Sequence, residues 1–238
     1  MLRLQLLLWL LMPFSACTLY GQATDDILNC GATPLHEHLQ RTDPYYRKKE
    51  LKLNQEWAEY ARKGAKSLPP PYTLPIVFHI VHDNGPENIS DADILRSLEF
   101  TNQAFANTDY YDQGTGVDTR VQFCLARRSP DNLPTNGINR IVSAQYTDLE
   151  ATAEDRDMKD LSRWEPRQYI NVWVVKEICG LGFGCGVAGY AYYPGAHGGQ
   201  VDGIVVEARW LTTNEARASV LVHELGHYLG IRHTFDGG

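Results

Sequence analysis

The sequence predicts a mixed domain of the α/β or α+β class. Beyond a run of three prolines, Pro69–Pro71, β-rich runs alternate with runs at helical spacing. The 238 residues are 43% hydrophobic and 21% charged, which is typical of a globular protein and excludes a disordered, collagen-like or coiled-coil chain. The formal net charge of -7 argues against nucleic acid as the main partner.

Residues 1–23 are predicted to be a secretory signal peptide. An early arginine precedes an apolar core of about eleven residues, which is too short to span a membrane. Two processing sites remain open. Gly21 and Ala23 are spaced as signal peptidase requires, whereas Ser15-Ala16-Cys17 could be a lipoprotein box that leaves a lipidated Cys17. We favour the first, so we expect a secreted protein, with a lipid anchor at the cell surface as the alternative.

Residues 24–70 are predicted to be a pro-segment. The stretch is polar and slightly basic, and Tyr45–Lys63 is rich in Lys, Glu and Ala, as helices are. The three prolines that follow can continue neither a helix nor a central strand. We therefore place a boundary at residue 70 and predict a second domain over residues 71–238.

The second domain carries signals for both strands and helices. The β-rich runs predict strands at Leu74–His82, Val121–Ala126, Tyr169–Glu177 and Gly203–Glu207. A helix is predicted over Ser90–Asn107, where Ser90 and Asp93 form a capping signature, and another is predicted to begin at a capping box over Thr212–Glu215.

Export permits disulfides, and four cysteines remain if Cys17 leaves with the signal. Cys179 and Cys185 are the candidate pair, because the glycine-rich stretch between them can bend freely. Cys124 lies in an apolar strand and is expected to be a small buried core residue.

The string VHELGHYLGIRH predicts a catalytic zinc site. His223 and His227 are one helical turn apart, so both imidazoles point to the same side. Gly230 can end the helix in a left-handed conformation, and the chain then turns to deliver His233. Three neutral nitrogens and a water form the open tetrahedral site of a catalytic zinc. Glu224 lies beside that site and is the candidate general base for the water.

The other five histidines lack metal-ligand spacing to one another, and we do not expect them to bind the catalytic metal. They are His36, His38, His79, His82 and His197.

The zinc string, followed by Thr234-Phe235, resembles the pappalysin family of metzincin metallopeptidases. This resemblance implies a secreted zinc endopeptidase that acts on proteins or peptides. It also implies the metzincin N-terminal subdomain, a twisted, mostly parallel five-stranded sheet with a backing helix and an active-site helix. One strand of that sheet would lie at the rim of the cleft and pair with extended substrate. Its residues here are Gly189, Tyr190, Ala191 and Tyr192.

Asn29-Cys30-Gly31 resembles the pro-segment of related microbial zymogens. The resemblance implies that Cys30 occupies the zinc as a cysteine switch, since a thiolate is a good zinc ligand and would displace the reactive water. The alternative that Cys30 pairs with another cysteine stays open, because the compartment permits disulfides.

The family carries a methionine turn beneath the zinc, some tens of residues after the third histidine, whereas this chain ends five residues after His233. We therefore expect an incomplete fragment that lacks the C-terminal subdomain, or else a truncated form. The alternative function is a secreted zinc- or peptide-binding module without catalysis. The acidic balance of residues 68–238 could also serve calcium binding.

Overall fold

The computed structural model describes residues 29–64, 71–212 and 214–235. The predicted signal peptide, both processing sites near Cys17 and the predicted boundary at residues 65–70 lie outside the described residues. In the described part, the helices are α1 (Ala32–Thr42), α2 (Pro44–Arg62), α3 (Asp91–Ala106), α4 (Asp155–Asp160) and α5 (Glu215–Tyr228). The strands are β1 (Asn29–Cys30), β2 (Tyr72–His82), β3 (Val121–Leu125), β4 (Ile138–Val142), β5 (Asp148–Glu150), β6 (Ile170–Val175), β7 (Glu177–Cys179), β8 (Val187–Ala191) and β9 (Ile204–Glu207).

The main sheet has the order β1-β8-β9-β6-β2-β3, with β4 also paired to β2, and β5 and β7 form a separate pair. In the main sheet only β8 and β9 pair antiparallel among the described strands, so the predicted mostly parallel α/β class is confirmed. The sheet has seven strands and not the predicted five, because β1 and β4 join it. Neither was recognisable: β1 is two residues long, and β4 is a half-exposed edge strand with polar residues.

Apolar side chains cover both faces of the sheet. Along β6, Val172 and Val174 point to the face covered by α3 and α5, whereas Trp173 and Val175 point to the opposite face. Strands buried on both sides are expected to be continuously apolar, and every residue of β6 is buried. The sheet is therefore the middle layer of the molecule, with α5 held against one face.

Side-chain caps determine where the two predicted helices begin. At α3, Ser90 accepts from the Asp93 N–H and the Asp93 side chain accepts from the Ser90 N–H, so the predicted capping box is confirmed. At α5 the prediction was two residues early, because Asn214 is the residue whose side chain accepts from the Arg217 N–H. Cys124 is exposed and not buried as expected, since β3 is an edge strand whose Val121, Phe123 and Leu125 pack on the core while the residues between them do not.

A buried ion pair connects α4 to strand β8. Lys159 is fully buried, and its Nζ lies 2.9 Å from Asp155 Oδ1 and 2.7 Å from the Val201 carbonyl oxygen. The hydroxyls of Tyr190 and Tyr192 donate to the two oxygens of Asp155, at 2.6 and 3.0 Å. Burial lowers the pKa of Lys159, and the neighbouring Asp155 opposes that shift. Because both tyrosines extend from the end of β8, this network holds that strand from the face opposite α5.

We expect Asp155→Asn to lower the free energy of unfolding by about 3–5 kcal/mol, because the Lys159 ammonium would stay buried without its carboxylate. Asp157→Asn is the matched control, since Asp157 is exposed in the same helix turn. It should change stability by less than about 0.5 kcal/mol. Urea denaturation measures both variants, and equal midpoints would contradict the role given to Asp155.

Candidate metal centre

Helix α5 and the turn after it bring the three predicted ligands together. The Nε2 atoms of His223 and His227, one turn apart, lie 2.9 Å from each other. After the helix, Gly230 adopts a left-handed φ of +100°, as predicted, and the chain reverses. His233 then places its Nε2 at 3.2 Å from that of His223 and 3.0 Å from that of His227.

The protonation of these rings leaves electron pairs directed at a common point. His227 Nδ1 lies 2.7 Å from the Ile231 carbonyl oxygen, which can only accept, so the proton is on Nδ1 and Nε2 carries a lone pair. His233 Nδ1 lies 2.9 Å from Thr33 Oγ1, a hydroxyl that can accept in the same way. Burial lowers the pKa of His223, and the neighbouring His233 adds to the shift, which favours its neutral form.

This donor set fits a zinc ion. Tetrahedral coordination at Zn–N distances of about 2.0–2.1 Å places neighbouring nitrogens roughly 3.3 Å apart. The three Nε2 separations, 2.9, 3.0 and 3.2 Å, lie close to that value. Lone pairs this close repel one another unless a cation lies between them.

Cys30 supplies a fourth donor from the N-terminal segment, which is the part of the predicted pro-segment that the structure describes, residues 29–64. Its Sγ and the ligand nitrogens of the three histidines all lie within 4.8 Å of one another. Strand β1 delivers the thiol by pairing in parallel with β8, where Cys30 lies opposite Gly189 and the Gly31 N–H donates to the Gly189 carbonyl oxygen at 2.9 Å. A Cβ at Gly31 would lie 2.5 Å from Leu181 Cδ1, so the segment needs glycine after the cysteine to approach this closely.

Glu224 lies beside the three histidines. Its side chain is buried, its Oε2 lies 3.9 Å from Cys30 Sγ, and its Cγ would be 3.0 Å from a Cβ placed on Gly189. Burial raises the pKa of Glu224 to about 8, although hydrogen bonds from the Cys30 thiol and the Ala191 backbone oppose the shift. A cation at the histidines would lower this pKa again by direct attraction. A carboxyl group that titrates near neutrality can both accept and return a proton.

The predicted rim residues follow the edge of the sheet next to this centre. Gly189, Tyr190 and Ala191 belong to β8, and Tyr192 follows it directly. Strand β9 pairs with one edge of β8, and β1 of the N-terminal segment pairs with the other. The segment thus covers the edge that was expected to receive substrate.

A loop closed by a disulfide borders the same region. The structure joins Cys179 to Cys185, the pair expected from their spacing. Phe183, inside this loop, lines a 550 Å³ cavity beside His223 and Glu224, together with Ala188 and Val220. The cavity has a largely apolar wall.

The other histidines have different surroundings. His79 is buried and bonded to Asn171, and burial lowers its pKa to about 4. Within the described ranges, none of the five remaining histidines joins a metal-binding group, and no three acidic side chains bring oxygens within 4.8 Å of one another. The calcium prediction therefore gains no support.

Sequence reasoning missed a polar cluster next to the third ligand. Arg232 contacts Glu50 and His36, both of which come from the N-terminal segment. The position of Arg232 directly before His233 could have marked it as part of the site. Its partners could not be predicted, because they lie more than 180 residues away in the sequence.

Together, an HExxH helix, a third histidine beyond a glycine turn and a buried glutamate define the class of zinc metallopeptidases. The comparisons with known proteins agree. The family model for pregnancy-associated plasma protein-A matches residues 152–238. An extracellular metalloprotease of Pyricularia oryzae is 25% identical over 239 residues, covering 96% of this chain and 72% of that protein.

Solved structures give the same result. A promirolysin variant of Tannerella forsythia matches with a TM-score of 0.63 and 26% identity, over 86% of this chain and 69% of the other. Mature mirolysin in complex with a cleaved peptide matches with a TM-score of 0.57 and 28% identity, over 72% and 68%. The predicted resemblance to the pappalysin family of metallopeptidases is confirmed, and the family model covers the part of the chain that carries the three histidines. No helix among its described residues is long and apolar enough to cross a bilayer.

We expect the purified chain to bind one zinc ion. His223→Ala should weaken zinc affinity by more than about 100-fold, because removal of a direct ligand exceeds the usual effect of losing a supporting group. His38→Ala, an exposed histidine in α1, is the control and should bind zinc normally. Metal analysis and competition with a chromogenic chelator give both values, and unchanged affinity in His223→Ala would place the metal elsewhere.

Proposed function

We propose that this chain is a secreted zinc endopeptidase that is made as a zymogen. The observation that carries the proposal is the convergence of three imidazole nitrogens beside the buried carboxyl group of Glu224. The extracellular relative supports export. In this proposal residues 1–23 are the signal peptide, residues 24–70 the pro-segment and residues 71–238 the catalytic part.

The proposed chemistry divides the work among few residues. His223, His227 and His233 would hold a zinc ion, which would supply a bound water with a pKa of about 7 and would polarise the scissile carbonyl. Glu224 takes the proton from the attacking water and returns it to the leaving amine. Its burial keeps bulk solvent away and raises its pKa, and a cation at the histidines would lower that pKa again. The Ile231 carbonyl holds the tautomer of His227 throughout.

The rim strand supplies the grip on substrate. Its backbone edge, now paired with β1, offers the hydrogen bonds that an extended peptide needs. Gly189 lets this edge approach Glu224, because a Cβ there would press on the Glu224 side chain. A peptide carbonyl bound at this edge would lie next to the proposed base and the metal ligands.

The N-terminal segment is proposed to keep the chain latent. Cys30 Sγ lies where a fourth ligand would exclude water, and β1 covers the substrate edge. The chain also aligns with promirolysin over 86% of its length but with mature mirolysin over 72%. Arg62, Lys63 and Lys66 offer basic sites for the activating cut.

The alternative is a secreted zinc- or peptide-binding module. It would use the same ligands and the same strand edge but would have no need of Glu224. The buried, proton-accepting glutamate therefore favours the peptidase.

We expect Glu224→Ala to lower peptide hydrolysis by at least about 100-fold in the processed chain, because the water loses its base. Zinc content should stay at the wild-type level, since Glu224 is not a proposed ligand. A chelator-sensitive casein or peptide assay measures the rate. The binding-module alternative would gain if the zinc-loaded, processed wild type hydrolysed no peptide.

We expect Cys30→Ala to give the intact chain premature activity, about tenfold or more above the intact wild type, because the thiol no longer excludes water from the metal. Cys124→Ala is the control, since Cys124 is an exposed cysteine outside the cluster. Peptide hydrolysis before any cleavage measures the effect. Unchanged latency in Cys30→Ala would remove the cysteine switch from the proposal.

A further inference from the structure

A second contact holds the N-terminal segment to the catalytic part, away from Cys30. Glu50 of α2 is 2% exposed, which is unusual for a glutamate on a surface helix. One of its carboxylate oxygens lies 2.7 Å from a guanidinium nitrogen of Arg232, and the other accepts the Gly195 N–H at 2.7 Å. Both donors belong to residues 71–238, and the carboxylate comes from the segment.

The two donors are arranged for a carboxylate. The Arg232 guanidinium lies over the Tyr193 ring, 4.7 Å from its centre, and its other terminal nitrogen lies 3.0 Å from His36 Nε2. These contacts hold the guanidinium in place, with its side chain only 33% exposed. A partly buried charge of this kind is stabilised by a counter-charge, and the fully buried Glu50 carboxylate needs one.

The glycine at position 195 makes room for the carboxylate and is not required by the backbone conformation of its turn. A Cβ at this position would lie 2.5 Å from both Cγ and Oε1 of Glu50. Gly195 is not among the residues with positive φ, so the backbone there would accept other residues. Its glycine is explained by the close approach of the carboxylate.

The Gly195 N–H and the Arg232 guanidinium both lie near the rim strand and the candidate metal centre. Gly195 follows the rim strand β8, and Arg232 directly precedes the proposed ligand His233. A peptide paired along β8 would therefore run towards both donors at one end of the strand.

We propose that Arg232 and the Gly195 N–H form a carboxylate-binding site of the catalytic part, separate from the metal-binding atoms. Glu50 fills the site in the intact chain and anchors the segment independently of Cys30. Once the segment has left, an acidic side chain of a bound peptide fills it. The second statement rests on the proposed function, because it requires removal of the segment.

The first experiment tests Glu50 as the occupant. In the full chain with Cys30→Ala, residues 65–70 are replaced by the recognition sequence of a site-specific protease, and release of the cut segment is followed by native mass spectrometry. Glu50→Gln should speed release by about tenfold or more, because the guanidinium loses its charged partner. Glu59→Gln is the matched control on the same helix, since its ion pair with Lys63 is exposed. Equal release from both variants would overturn the proposal.

A second variant approaches the same contact from the catalytic part. Gly195→Ala keeps every charge but places a methyl group against the Glu50 carboxylate. It should speed release to a similar degree. Release at the control rate would count against the site even if Glu50→Gln fails to fold.

The second experiment tests the peptide as the occupant. The processed chain carries Glu224→Ala so that peptides stay intact, and calorimetry compares peptide pairs that differ by Glu or Gln at one position. At one position the Glu peptide should bind about fivefold tighter or more, and Gly195→Ala should remove that preference. Equal affinity in every pair would overturn the peptide statement. Neither experiment measures hydrolysis, so an inactive enzyme would defeat the proposed function without deciding the fate of this site.

Discussion

Three imidazole nitrogens that point at one another are the constraint around which this molecule is arranged. Three nitrogens 2.9–3.2 Å apart with their lone pairs facing one another are unfavourable without a cation, so the surrounding structure must hold the rings in place. Helix α5 fixes two of them by packing its apolar face on the sheet. The third depends on the turn at Gly230, and one carbonyl, that of Ile231, sets the tautomer of His227.

Strand β8 links this centre to everything that reaches it. On one face, Gly189 allows the strand to approach Glu224. On the other, Tyr190 and the adjoining Tyr192 are held by the buried pair of Asp155 and Lys159. The strand is thus supported on both faces, and the edge that does not contact β9 can pair with another strand. In the structure that edge belongs to β1, and the proposed substrate would use the same backbone groups.

The contacts of the N-terminal segment are spread over the whole metal centre. Cys30 lies beside the imidazole nitrogens of the three histidines. Thr33 is hydrogen-bonded to His233, and Glu50 forms an ion pair with Arg232. Retention of the segment in this arrangement would not depend on one thiol, although that thiol is the group proposed to exclude water from the metal. The loss of any single contact leaves the others to retain the segment, which fits a latency that only cleavage removes completely.

The sequence by itself determined the fold class, the helix that carries His223 and His227, the turn at Gly230 and the identity of the candidate base. These features depend on residues close together in the chain, where helical spacing, capping and glycine conformation act directly. Local pattern also failed in instructive ways. It missed β1 and β4, and it wrongly predicted that Cys124 is buried. The reason is that the edge of a sheet cannot be identified from one strand alone.

Tertiary structure alone decided which distant groups meet. The pairing of Glu50 with Arg232 and of β1 with β8 joins segments more than 150 residues apart. The pKa of Glu224 likewise follows from burial by its neighbours and not from its own motif. Such contacts leave no periodic signal, because they depend on how the packed elements align in space.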